Sequence, residues 1–133
     1  MPWAKLARRS KAAMAKTRRP FDVTTQAQAA ALASLGDDAE IARRRALNTD
    51  GLAQLERTLR EHGFAPGEGA VGNFLYVEIG EDAPRVYDAL LHEGVIVRPL
   101  AGFGAPHALR ISVGSPEENA YFADALGRVL ART

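Results

Sequence analysis

An α/β sandwich of about three strands with helices packed on the sheet is the fold class this sequence predicts. Residues 24–62 show helical spacing and no strand, residues 73–114 carry three short β-branched and aromatic runs bounded by glycine, and a helical segment separates the first run from the other two. That gives the order helix, helix, long helix, strand, helix, strand, strand, helix. The connection from the first strand through residues 83–92 is long enough for a crossover, and the short loop between the last two makes them antiparallel neighbours. The chain has 133 residues, 47% of them hydrophobic, enough to bury one core.

The first segment, from Trp3 to Arg19, reads as an Ala-rich helix with Trp3, Leu6, Ala13 and Met14 on or near one stripe, punctuated by Pro20. Its seven Lys and Arg face no acid, so the net charge of +1 hides a basic tail on an acidic remainder. Such a tail suits nucleic acid or an acidic membrane surface, but the same spacing makes an ordinary solvated helix. The expected division is a basic N-terminal helix over 1–19 and one domain over 20–133, with neither nucleic acid nor membrane as a partner.

"TTQAQAAALASLG" offers Thr24 or Thr25 as N-cap and Gly36 as C-cap. After Asp37 and Asp38, residues 39–62 keep Ile41, Leu47, Leu52, Leu55 and Leu59 near helical spacing up to Gly63, as one long helix or one interrupted between Asn48 and Gly51. "APGEGAVG" is a loop and "NFLYVEIG" a strand. Residues 83–92, with Val86, Leu90 and Leu91, form a helix closed by Gly94. "VIVRPL" and "ALRISVG" are the other strands, on either side of the turn "AGFGAPH". In the last helix Ser115 is the N-cap, Pro116 sits at N1 and Glu118 completes a capping box.

The chain has no cysteine, hence no disulfide framework and no thiolate chemistry. No apolar run approaches the roughly 20 residues that cross a bilayer, and the start lacks a signal-peptide core. A cytoplasmic protein is expected. His62, His92 and His107 lie apart, without metal-ligand spacing. The candidate chemistry lies in Arg98 and Arg110, each set in an apolar strand. A guanidinium presents a fork of donors suited to bidentate anion binding. The alternative is structural: Arg98 faces water at a strand end, and Arg110 pairs with Glu78 or Glu118.

"RRPFDVTTQAQAAALASL", "GNFLYVEI", "HEGVIVRPL", "FGAPHALRISVGSPEEN" and "FADAL", in this order and spacing, resemble the C-terminal small domain of histidinol-phosphate aminotransferases, within the fold-type-I pyridoxal-phosphate enzymes. The resemblance implies that Arg98 and Arg110 bind the substrate's anion, a phosphate or carboxylate, and that Asn73 and Phe74 match the family's "NF" in a structural role. It also implies that pyridoxal phosphate and the catalytic groups belong to a large domain with no match in this chain. The expectation is therefore no catalytic residue, no bound cofactor and no transamination by the chain alone, with only weak hold on a small anionic substrate. Ser10-Lys11-Ala12 matches the family's cofactor-lysine context, either as a relic of that motif or, the favoured reading, as a coincidence that an Ala/Lys/Arg-rich helix produces easily. Gly102 and Gly104 are read as loop geometry. As partners the resemblance implies a homodimer or a separate large-domain protein, or the basic helix folded back through Trp3, Leu6 and Met14. The other class kept open is a non-enzymatic self-associating or anion-binding module.

Overall fold

The computed structural model describes residues 23–132 together with residues 10, 11, 13, 14 and 16. It divides into two compact units, Met1–Ala39 and Glu40–Thr133. In the first, Ser10, Lys11, Ala13, Met14 and Lys16 are helical and exposed; Trp3 and Leu6, two of the residues expected to cover an apolar patch, lie outside the described residues. Helix α1 (Thr25–Ser34) is capped by Thr24, whose hydroxyl accepts from the Ala27 N–H at 3.2 Å. None of its residues is buried. Gly36 does not take the left-handed conformation expected of a C-cap. Bonds from Leu35 N–H to Leu32 and from Asp37 N–H to Ser34 close the end with right-handed turns instead.

The second unit is built from α2 (Asp38–Glu61, all but its first two residues), β1 (Phe74–Glu78), α3 (Ala83–His92), β2 (Arg98–Pro99), a 3-10 turn (Ala101–Phe103), β3 (Ala108–Ser112) and α4 (Pro116–Ala131). The sheet order is β1-β3-β2, with β3 antiparallel to both neighbours. β1 and β2 therefore run parallel, which is why a helical crossover joins them. Leu75 and Val77 of β1, Leu109 and Ile111 of β3 and Val97 turn one face of the sheet inward. They meet Leu55 and Leu59 of α2, Val86 and Leu90 of α3, and Phe122, Leu126 and Val129 of α4.

α2 runs unbroken through Asn48–Gly51. At about 1.5 Å per residue it far outreaches five-residue strands, so Leu55 and Leu59 are buried while Leu47 is 42% exposed. Gly51 marks a close approach: a Cβ there would collide with Val113 Cγ1. α2 and α3 end alike, with Gly63 and Gly94 at positive φ. Phe64 N–H returns to the Leu59 carbonyl and Val95 N–H to the Leu90 carbonyl, both at 2.9 Å, the six-to-one bond of a Schellman motif. Val86 and Leu90 of α3 are buried, whereas Leu91 is exposed.

The strand expected over "VIVRPL" is only Arg98–Pro99. Val95 spends its N–H on the cap of α3, and Pro99 has none to give, which an edge strand tolerates. The capping box at Ser115 and Glu118 is present as expected.

Candidate functional site

Alternation along the strands puts the remaining side chains on the sheet's second face: Phe74, Tyr76 and Glu78 from β1, Arg110 and Ser112 from β3, Arg98 from β2. The register is decisive. Arg98 stands directly opposite Arg110, and Arg110 opposite Tyr76, so the three form one row across the sheet. The two arginines singled out in the sequence are thus brought together.

Directly opposed side chains have Cβ atoms roughly 4.5–5.5 Å apart, and like charges there repel. Ordinarily an acid relieves such a pair. Neither arginine forms an ion pair with a described residue. The two acids that could have neutralised Arg110 are engaged elsewhere. Glu78 accepts the Tyr76 hydroxyl at 3.0 Å, a bond that raises the Tyr76 pKa, and Glu118 accepts the Ser115 N–H at 2.7 Å inside the capping box. Arg110 Nε is buried with no hydrogen-bond partner among the described residues, a costly state for a cationic donor.

Aromatic rings occupy the places acids would take. The Arg110 guanidinium lies 5.1 Å from the centroid of Phe74, and that of Arg98 5.9 Å from Phe103. An open cleft of about 440 Å³ runs beside both arginines, with Tyr87, Ile96 and Ser112 among its walls. A second cavity of about 510 Å³, between Leu55, Ile96, Gly114 and Tyr121, contains Glu117 and Glu118 but no cation. Of these two, the first has the charge to hold an anion; a smaller cavity of about 130 Å³ is lined by Arg85 and Arg132, both of which are paired with acids, Asp82 and Glu93.

Three neighbours hold the arginine row in place. The Asn73 carbonyl accepts the Val113 N–H at 2.8 Å, a backbone bond that extends the β1-β3 pairing past Phe74. The buried Asn119 accepts the Gly114 N–H at 3.0 Å and donates to Gln54 Oε1 at 3.3 Å, so the exit of β3 is tied to α2 and α4. Gly104, at φ 85°, ends the 3-10 turn that brings Phe103 back toward Arg98. Phe103, Tyr87 and Ser112 are residues beside the arginines that sequence reasoning missed, and Phe74 was read there only as structural. Phe74 stands two residues before Tyr76, a signal that points to the arginines only once the register is known. The three histidines stay apart, and among the described residues no group of three His, Asp or Glu comes together.

The class I and II aminotransferase family model matches residues 4–126, and the chain belongs to that family, whose members depend on pyridoxal phosphate. Within it, histidinol-phosphate aminotransferase 2 of Pseudomonas aeruginosa is 50% identical over 118 residues, 87% of this chain and 31% of that protein. The histidinol-phosphate aminotransferase of Sinorhizobium meliloti, solved with pyridoxal-5'-phosphate, superposes at a TM-score of 0.69 with 25% identity, covering 90% of this chain and 33% of its own. The histidinol-phosphate aminotransferase of Clostridium acetobutylicum shares the fold at a TM-score of 0.74 and 20% identity, over 92% of this chain and 38% of its own. The chain spans about a third of the length of the relatives it matches. No helix among the described residues is long and apolar enough to cross a membrane.

Proposed function

We propose that this chain supplies the substrate-anion site of a histidinol-phosphate aminotransferase-like transaminase, with Arg98 and Arg110 as the two forks that receive a phosphate or carboxylate. The observation that carries it is the arginine pair itself, directly opposed in the ladder, without a carboxylate, beside an open cleft. An anion between the two guanidiniums removes their repulsion and gives their terminal N–H groups an acceptor, so the site gains from a ligand what a structural pair would have gained from an acid. The relatives named for histidinol phosphate favour a phosphate ester as that ligand.

Transamination is not assigned to the chain by itself. An imine to pyridoxal phosphate needs a lysine amine, and residues 17–133 contain none; Lys11 and Lys16 are exposed. The described residues therefore do not fit that cofactor, and the chemistry falls to a large domain. In these residues by themselves the cleft is open to water, where screening holds affinity to roughly millimolar.

The test is a phosphate titration followed by amide chemical shifts. Residues around Arg98, Gly104 and Arg110 should move first, and the movement should vanish in Arg110→Ala. Shifts centred on Lys11 and Lys16 would assign anion binding to the basic segment and sink the proposal. In parallel, turnover of an amino donor by the pure chain with pyridoxal phosphate would contradict the assignment of the chemistry elsewhere.

A further inference from the structure

We propose that Phe74 and Phe103 are positioning residues that hold the two guanidiniums apart and in place through their ring faces, leaving the N–H forks free for the anion. This rests on the anion-site assignment and adds to it a reason why the arginines stay poised when no anion is bound.

Two cations in register must be stabilised by something. A carboxylate would do it, but it would occupy the same N–H donors that recognise the ligand, and the anion would have to displace it. An aromatic ring acts differently. Its negative face attracts the cation within about 6 Å of the centroid without consuming a hydrogen-bond donor. Both arginines meet that condition, at 5.1 Å and 5.9 Å, each with its own ring.

The rings also come from separate parts of the chain. Phe74 opens β1, on one side of Arg110; Phe103 closes the 3-10 turn that follows β2, on the side of Arg98. β3 lies between β1 and β2, so each guanidinium is drawn toward its own ring and away from the other. Both rings pay a solvation cost for being there: Phe74 is 41% and Phe103 72% exposed. Neither appears in the apolar core, so core packing does not account for them.

The experiment uses the full chain and inorganic phosphate, with Phe74→Leu, Phe74→Tyr and Phe103→Leu beside the wild type. Two readouts are taken: the phosphate dissociation constant, and the Nε–H resonances of Arg98 and Arg110 without phosphate. The ring current should displace the Arg110 resonance in the wild type and in Phe74→Tyr but not in Phe74→Leu, where the side chain should also gain fast motion. Affinity should fall roughly three- to tenfold in either leucine variant and be kept in Phe74→Tyr. Arginine resonances unchanged by Phe74→Leu and Phe103→Leu would overturn the positioning role whatever happens to affinity. If instead the ring-dependent shifts are present but the wild type gives no phosphate response at Arg98 and Arg110, the positioning stands and the anion site is what fails. A loss of folding in Phe74→Leu would show in amides remote from β1; Phe103→Leu, on an exposed turn, then decides the matter.

Discussion

At the scale of single residues, Arg98 and Arg110 are groups whose placement works against stability. Charged residues inside apolar runs stand out in a sequence, and the donor geometry of guanidinium narrows what they can do. The sequence leaves open whether an acid faces them, because Glu78 lies on β1 two residues from Tyr76 and only the register shows that it takes the Tyr76 hydroxyl instead. The rings of Phe74 and Phe103 were equally invisible. A side chain that acts through its face carries no motif. One outcome follows for stability: Arg98→Thr removes half of a repelling pair from an exposed edge strand, so thermal melting in phosphate-free, low-salt buffer should stay level or rise. Surface changes away from special features stay within about 0.5 kcal/mol, so a loss above about 1 kcal/mol would mark Arg98 as structural.

At the scale of elements, what was legible is what local chemistry decides. The box of Ser115 and Glu118, the glycines ending α2 and α3, and the short turn making β2 and β3 antiparallel neighbours are set by residues next to one another in sequence. Ser115→Ala should cost about 1 kcal/mol by removing the acceptor for Glu118 N–H, measured by urea unfolding. What was not legible depends on distant residues. Gly51 looked like a candidate interruption of α2, yet it is the point where the helix approaches Val113. Gly51→Ala should therefore lose about 1–3 kcal/mol through overpacking, although alanine is the better helix former; a gain in stability would mean that the approach is not tight.

Glu93, just past α3, joins that helix to α4 through Arg128 at 2.8 Å and Arg132 at 2.7 Å, while Tyr121 donates to its carbonyl at 2.8 Å. The bond from Arg128, aided by Arg132, holds the Glu93 carboxyl below its ordinary pKa against the opposing effect of burial. The folded chain thus resists a proton that the unfolded chain accepts. The stabilisation is present above the ordinary glutamate value of about 4.3 and is lost as pH falls through the lowered one. In Glu93→Gln, stability measured by unfolding from about pH 7 down to about pH 3 should be lower at the neutral end and less acid-dependent; an unchanged acid slope would show the bridges to be energetically silent.

At the scale of the whole molecule, the second unit has a complete core on one face of its sheet and its charged, aromatic row on the other. Leu32 and Leu35 in the first unit, and Val71 and Ile96 in the second, are exposed, and the proposed self-association would cover such residues where they form a contiguous patch. Sedimentation should show a homodimer at high concentration, whereas a monomer throughout would contradict self-association.

The claim on which the rest depends is that Arg98 and Arg110 act on one anion together. The most direct measurement is a double-mutant cycle on phosphate affinity, with the wild type, Arg98→Ala, Arg110→Ala and the double variant titrated at fixed low ionic strength. If both forks grip the same anion, either single substitution should cost at least about fivefold and the double little more, a clear departure from additivity. Losses that simply add, or single variants that bind phosphate as the wild type does, would contradict a shared site.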